Sequence, residues 1–184
     1  DTANKGGGSV YPMRTINDIL QIASNGGCKT HLDGARLFNA AAASGISAKE
    51  RAIGFDTVSV CFSKGLGAPV GSALCLPKAQ VTEAKRARKA FGGGMRQSGV
   101  LAAAALYAIE HNLPKLAEDH EKADIIATAL LSVGVNVRPY ESNMVYFECE
   151  RAESIVAAAA EKGIWCLNLS PTTIRIVCHK DISM

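Results

Sequence analysis

No apolar run in this chain approaches the roughly 18 residues that a membrane-spanning helix needs, which excludes a helical span. A net charge of +3 comes without any block of basic residues. Nothing therefore points to a nucleic-acid partner. The six cysteines, at positions 28, 61, 75, 149, 166 and 178, include no C-x-x-C pair. Most lie in strand-like runs, which reads as reduced, buried thiols of a cytosolic protein and speaks against a disulfide framework or a structural metal. The opening residues lack the charged-then-apolar order of a signal peptide. The GxxxxGK[ST] order of a nucleotide-binding P-loop is also missing, because the glycines follow Lys64 instead of preceding it. No internal repeat is present.

What is present is enough apolar sequence for a real core: 184 residues, 48% hydrophobic and 20% charged, the range of one globular domain or of a large and a small one. The pattern alternates helices and strands. Ile16, Ile19, Leu20 and Ala23 have the spacing of an amphipathic helix over 12–25, with Pro12 at its start and Gly26-Gly27 at its end. Two strands follow, CKTHL (28–32), ending at Asp33-Gly34, and TVSVCF (57–62), ending at Ser63-Lys64. The second is almost continuously apolar, which suits a strand covered on both faces of a parallel α/β sheet. About thirty residues separate Asp33 from Lys64, roughly one βαβ unit, so both are expected at the carboxyl ends of parallel strands, where ligands bind. GSALCL (71–76) comes too soon for a parallel crossover and is expected as an antiparallel return, making the sheet mixed. Helices are expected over the basic stretch 77–90, over the alanine-rich 100–111, which looks buried, and from Pro114 onward. In the last of these, Leu116, His120, Ala123, Ala127 and Leu130 form one stripe. After Gly134 the series NMVYFECE, a helix near 152–162, GIWCLNL and TTIRIVC suggests a small β-α-β-β domain.

Lys64 carries the first chemical signal. At the end of a buried strand an amine loses solvation and becomes available as a nucleophile toward a carbonyl, with Gly65, Gly67 and Gly71 allowing backbone or a planar ligand to come close. A surface turn lysine is the plain alternative. Asp33 could face a protonated pyridine nitrogen while the lysine holds an aldehyde, the arrangement expected for pyridoxal phosphate; it could equally cap a turn. Arg175 sits inside a strand, with Ile174 and Ile176 on the other face, and Arg36 lies three residues after Asp33. A guanidinium in such a place needs an anion, either a substrate carboxylate or a structural acid.

The stretches HLDGARLFNA (31–40), SKGLGAPVGS (63–72), GGGMRQSGVLAAA (92–104) and LAEDH (116–120), in this order, resemble the low-specificity L-threonine aldolases of the β-eliminating lyase group. The resemblance covers essentially the whole chain. It implies the pyridoxal-phosphate-dependent transferase-like α/β fold (fold type I), with residues 1–112 as the carboxyl-terminal portion of the large, mainly parallel mixed-sheet domain and 113–184 as a truncated small α+β domain. It also implies roles. Lys64 matches the lysine that binds the cofactor aldehyde, Asp33 the ring-nitrogen carboxylate, and Ser63 a residue at the cofactor phosphate. Arg36 and Arg175 match the substrate-carboxylate and cofactor-side arginines. Arg96 and, more weakly, Lys89 match basic residues near the site that serve a neighbouring subunit of a homodimer or homotetramer. The implied reaction is retro-aldol cleavage of a small β-hydroxy amino acid, L-threonine or L-allo-threonine, in the cytoplasm. Another enzyme of the same fold, a β-eliminating lyase or decarboxylase, and a noncatalytic remnant keeping only an interface remain alternatives. Both ends look abrupt, and the family's phosphate-binding loop, stacking histidine and closing helix have no counterpart here. The chain is thus expected to be a segment of something longer, inactive alone. Among His31, His111, His120 and His179 no catalytic base stands out, though His31 shares the face of Asp33.

Overall fold

The computed structural model describes residues 7–183. The first residues of the polar opening stretch and Met184 lie outside that range. Helix α1, Met13–Asn25, begins after Pro12 and stops at Gly26 and Gly27, whose N–H groups bond the carbonyls of Ile22 and Ser24. Gly27 takes a left-handed φ of +65°, which glycine adopts without a Cβ clash. Of the expected stripe only Ile16 is buried; Leu20 and Ala23 are half-buried and Ile19 is exposed.

A mixed three-stranded sheet follows, ordered β1-β2-β3, with β1 at His31–Gly34, β2 at Thr57–Cys61 and β3 at Ser72–Cys75. The first pair is parallel, with Asp33 opposite Ser59, and the second is antiparallel, with Val60 opposite Ala73. Strand β1 starts three residues later than expected, because residues 28–30 are used elsewhere. The Cys28 N–H bonds the Ala23 carbonyl at the end of α1. Thr30 then forms a clamp with Asp56: its N–H donates to Oδ2 at 2.8 Å, its hydroxyl to the same oxygen at 3.1 Å, and Asp56 N–H donates back to Oγ1 at 3.1 Å.

Two helices, α2 (Leu37–Ser44) and α3 (Ala48–Ala52), join the parallel strands. The second is opened by a capping box between Ser47 and Glu50, which satisfies two N–H groups the helix itself cannot. Both helices lie over one side of the sheet, where Leu32, Val58 and Val60 pack with Leu37. The expected double covering of β2 is therefore not found. Val58 and Val60 are buried while Thr57, Ser59 and Cys61 are only half so, and on β1 His31 and Asp33 are exposed. No element among the described residues covers the second face.

Helix α4 (Val81–Ala90) buries no residue, and α5 (Gly99–His111), expected to be buried, buries only Ala105 and Ala108. Val100, Leu106 and Tyr107 face outward because only one side of the helix, with Ile109 partly buried on it, meets Leu66, Ala68 and Leu116. Helix α6, Leu116–Ser132, fulfils its expected stripe, with Leu116, Ala123 and Ala127 buried and His120 and Leu130 partly so. It packs on α2 and on a second, antiparallel sheet ordered β4-β6-β5. Those strands are β4 (Met144–Glu148), β5 (Leu167–Ser170) and β6 (Thr173–Val177), with α7 (Ala152–Glu161) between the first two. Val145 and Cys178 meet Ala123 and Ala127, while Phe147, Ile174 and Ala152 form the adjoining core. All six cysteines are free thiols, but only Cys178 is buried. Cys28 stands in the turn after α1 and Cys75 ends the outer strand β3, so both are exposed.

The Thr30–Asp56 clamp also receives Lys29 Nζ at 2.8 Å. The Lys29 ammonium and the Thr30 N–H hold the Asp56 carboxyl at about 2, below its ordinary 3.8. An acid with a depressed folded-state pKa contributes stability that is present above about pH 3.8 and lost as the pH falls toward 2. Asp56→Asn is expected to lose this contribution at neutral pH and to flatten the acid limb of the stability curve in that window, measured by urea midpoints.

Candidate active site

Lys64 stands in the turn that leaves β2. The turn is closed by Gly67 N–H to the Lys64 carbonyl at 2.8 Å and Ala68 N–H to the Phe62 carbonyl at 2.9 Å. Its anchor is Leu66, 2% exposed, whose carbonyl accepts from Asn112 Nδ2 at 2.7 Å. The glycines serve this packing. A Cβ on Gly65 would meet Leu116 Cδ2 at 2.9 Å and Asn39 Oδ1 at 3.1 Å, and one on Gly67, which has φ +69°, would run into Lys180. The close approach expected of a planar ligand is thus made at these two positions by the protein's own side chains. Lys64 itself is exposed. The expected desolvation of its amine is absent in this chain, because the turn leaves it at the rim of an open cavity.

That cavity, of about 270 Å³, is where the two sheets meet. Ser63 and Lys64 line it from the turn after β2, Arg36 from the start of α2, and Asn143, Val177 and His179 from the second sheet and its continuation. The Arg36 guanidinium is pushed below its usual pKa, first by burial and then by the positive charge of Arg175; the Tyr146 phenol and Cys61 thiol act in the opposite sense. Arg175 lies directly across from Tyr146 in the β4–β6 register. Its Nε is buried without a hydrogen-bond partner, and it forms no ion pair with an acidic side chain among the described residues. A structural acid is therefore not its partner here. Two neighbouring guanidinium groups with an unfilled donor have the chemistry of an anion site.

Asp33 stands on the open face of the first sheet and accepts the Ala35 N–H at 3.1 Å. It shares the sheet edge with Lys64 but not the lining of the cavity. His31, on the same face, bonds Thr57 Oγ1 at 2.8 Å through Nδ1. Arg96 and Lys89 are exposed, one in the loop before α5 and the other in the last turn of α4, and neither lines the cavity. His111 rests against the Tyr107 ring, with centroids 4.2 Å apart, and His120 meets Asn39 Nδ2 at 3.2 Å. Both are packing residues. Behind the cavity, Asp119 and Lys122 of α6 form a buried ion pair at 3.2 Å, and Lys122 Nζ also reaches the His179 carbonyl at 3.4 Å. Burial raises the Asp119 carboxyl above its usual range, against the pull of Lys122.

Sequence reasoning missed Asn143 and His179 as lining residues. For His179 a signal existed: it follows Arg175 by four positions and Val177 by two, the period at which a strand presents one face. Asn143 gave none, since it precedes its strand in a polar stretch.

A mixed sheet that ends in a lysine turn, with a small antiparallel sheet bringing an arginine to it, is the architecture of fold type I pyridoxal-phosphate enzymes. The match to the beta-eliminating lyase family spans residues 1–151, and the chain belongs to that family. It is 41% identical to low-specificity L-threonine aldolase 1 of Arabidopsis thaliana, over 100% of this chain and 53% of the relative. To the low specificity L-threonine aldolase of Escherichia coli K12 it is 37% identical, over 98% and 54%. A Listeria monocytogenes structure assigned as an L-allo-threonine aldolase superposes with a TM-score of 0.81 at 28% identity, over 95% of this chain and 52% of that one. Serine palmitoyltransferase of Sphingomonas wittichii, at 16% identity and a TM-score of 0.71, shares the fold. The chain spans about half the length of the curated relatives it matches.

Family and fold imply pyridoxal 5'-phosphate as cofactor. The residues present fit that group: a lysine amine and the Arg36 guanidinium line one cavity, and Arg175, close enough to Arg36 to act on its charge, has a buried Nε donor to give to an anion.

The buried, unfilled Nε donor of Arg175 costs stability until an anion takes it. In carboxylate-free and phosphate-free buffer, Arg175→Met, which removes that unfilled donor, is expected to stabilise the protein by about 1 kcal/mol, a rise in Tm of about 2–4 °C. The variant should also lose the rise in Tm that added glycine gives the parent, measured by thermal denaturation.

Proposed function

We propose that this chain supplies the lysine-bearing and carboxylate-binding part of a pyridoxal-phosphate-dependent aldolase, one that cleaves L-threonine and L-allo-threonine to glycine and acetaldehyde. The observation that carries this reading is that Lys64 and Arg36 line one cavity between the two sheets, with the unfilled donor of Arg175 beside Arg36. Relatives of that name, alike over the chain's whole length, support it. The proposed division follows the two sheets, residues 1–112 belonging to the cofactor-binding domain and 113–184 to the small domain.

Each side chain has a distinct task in this reading. Lys64 presents its amine to the cofactor aldehyde, and the Ser63 hydroxyl, one residue earlier, donates to the phosphate. Asp33 keeps a proton on the ring nitrogen from the carboxyl end of β1. When bound, the cofactor supplies an acceptor for the electron pair left on Cα as the Cα–Cβ bond breaks. Arg36 and Arg175 hold the substrate carboxylate in a fixed fork, and so set which bond at Cα is presented for cleavage. Arg96 and Lys89, exposed in the single chain, act toward a second subunit of a homodimer or homotetramer whose sites are shared. The substrate is a small polar amino acid and the compartment the cytoplasm.

The test uses the longest native polypeptide that contains this chain, reconstituted with pyridoxal phosphate. Threonine is expected to yield glycine and acetaldehyde in equal amounts. Lys64→Ala should abolish the visible absorbance of the lysine-bound cofactor, and Asp33→Asn should keep cofactor but lower kcat by at least about 100-fold. Pyruvate and ammonia from serine, with no acetaldehyde from threonine, would replace the aldolase by a β-eliminating lyase. Absence of the absorbance band in the parent protein would remove the cofactor reading altogether.

A further inference from the structure

The second sheet does more than set Arg175 beside Arg36. Beyond the last residue of β6 the chain stays extended, because Asn143 holds Cys178 from both sides: the Cys178 N–H donates to the Asn143 carbonyl at 2.8 Å, and Asn143 Nδ2 donates to the Cys178 carbonyl at 2.7 Å. The alternation of the strand therefore runs on for one more step. Arg175, Val177 and His179 fall on one side, and Val177 and His179 line the cavity together with Lys64.

The His179 residue is held from behind and at one ring nitrogen. Lys122 Nζ, itself buried beside Asp119, reaches its carbonyl at 3.4 Å. Nδ1 lies 3.5 Å from the Asp181 carboxylate oxygen Oδ2; with the ring proton on Nδ1 facing that carboxylate, Nε2 keeps its lone pair. Nε2 has no partner among the described residues. The charged groups around the ring are Asp181 and Lys180 on its own segment, Asp119 and Lys122 on α6, and Arg36 and Lys64 across the cavity.

The cavity needs a group that can take up and return a proton. An amino acid arrives as an ammonium ion, and only its neutral amine can displace Lys64 from an aldehyde. One proton must leave the incoming nitrogen, and the released Lys64 nitrogen must gain one. Arg36 cannot accept it, and neither the Ser63 hydroxyl nor the Asn143 amide titrates near neutrality. A histidine does. We propose that His179 is the proton carrier of this exchange. Nε2 takes the proton from the ammonium of the incoming amino acid and gives it to Lys64 Nζ as that amine leaves the aldehyde, so that none is consumed overall. The assignment rests on the reading of Lys64 as the cofactor lysine, but not on which bond of the substrate is then broken.

Glycine serves as the probe, because its binding is read from the cofactor's absorbance without any turnover. Cofactor-loaded parent protein and His179→Gln are mixed with glycine in a stopped-flow instrument across about pH 5 to 8. The parent rate is expected to rise with pH through this range. In His179→Gln the rate should fall about 100-fold and keep climbing with the neutral-amine fraction of glycine, without the levelling that a neutral imidazole gives the parent, with partial recovery on adding imidazole, while cofactor content and Tm match the parent. Equal rates and profiles in the two proteins would overturn the proposal. So would loss of cofactor or a lowered Tm with the pH profile intact, since His179 would then be a structural residue. A parent protein with no lysine-bound absorbance would overturn the underlying reading, and this one with it.

Discussion

The parallel pairing of β1 with β2 is the constraint on which the candidate site depends. It sets Asp33 beside Ser59 and aims both strand ends the same way, so that the carboxylate and the lysine turn leave the sheet at one edge. Parallel pairing requires a crossover, and α2 and α3 supply it while covering one face with Leu37 and its neighbours. The Thr30–Asp56 clamp fixes where the pairing starts. Because side chains alternate along a strand, a slip of one residue there would turn Asp33 into the core and Leu32 outward.

The electrostatics of the cavity follow from how the second sheet is docked. Helix α6 makes that contact, with one stripe of small and apolar residues packed against β4 and Cys178, and with Leu116 closing on Gly65 under the lysine turn. That docking brings Arg175 to Arg36. The buried Nε of Arg175 has no hydrogen-bond partner, and an anion is what completes it. The buried Asp119–Lys122 pair behind His179 gives the same contact a polar register, since Lys122 must hold both Asp119 and the His179 carbonyl. Ionic groups this deeply buried tolerate few alternative positions.

Much of this architecture is legible in the order of residues. The α1 boundaries, the antiparallel return of β3, the α6 stripe and the β-α-β-β series all follow from local spacing and breakers. The misses concern what lies on the far side of an element. Strand β2 reads as covered on both faces, yet only Val58 and Val60 are buried; α5 reads as buried, yet Ala105 and Ala108 alone are enclosed. Hydrophobic pattern reports which side chains can be buried, and the supply of neighbours decides which are. The glycines of the lysine turn show a similar limit. Their freedom from a Cβ is visible in the sequence, but the atoms that use the space, from Leu116, Asn39 and Lys180, come from positions far along the chain.

By itself the sequence determined the order of elements, the placing of Lys64 and Asp33 at strand ends, and the resemblance that names a cofactor, because each depends on residues near one another or on motifs kept whole. Only the tertiary structure decided that Arg36 and Arg175 share one field, that Arg96 and Lys89 stay outside the cavity of this chain, and that His179 lines it beside Lys64. Those relations join segments more than a hundred residues apart. They exist through the packing of α6 between the two sheets, which no local pattern encodes.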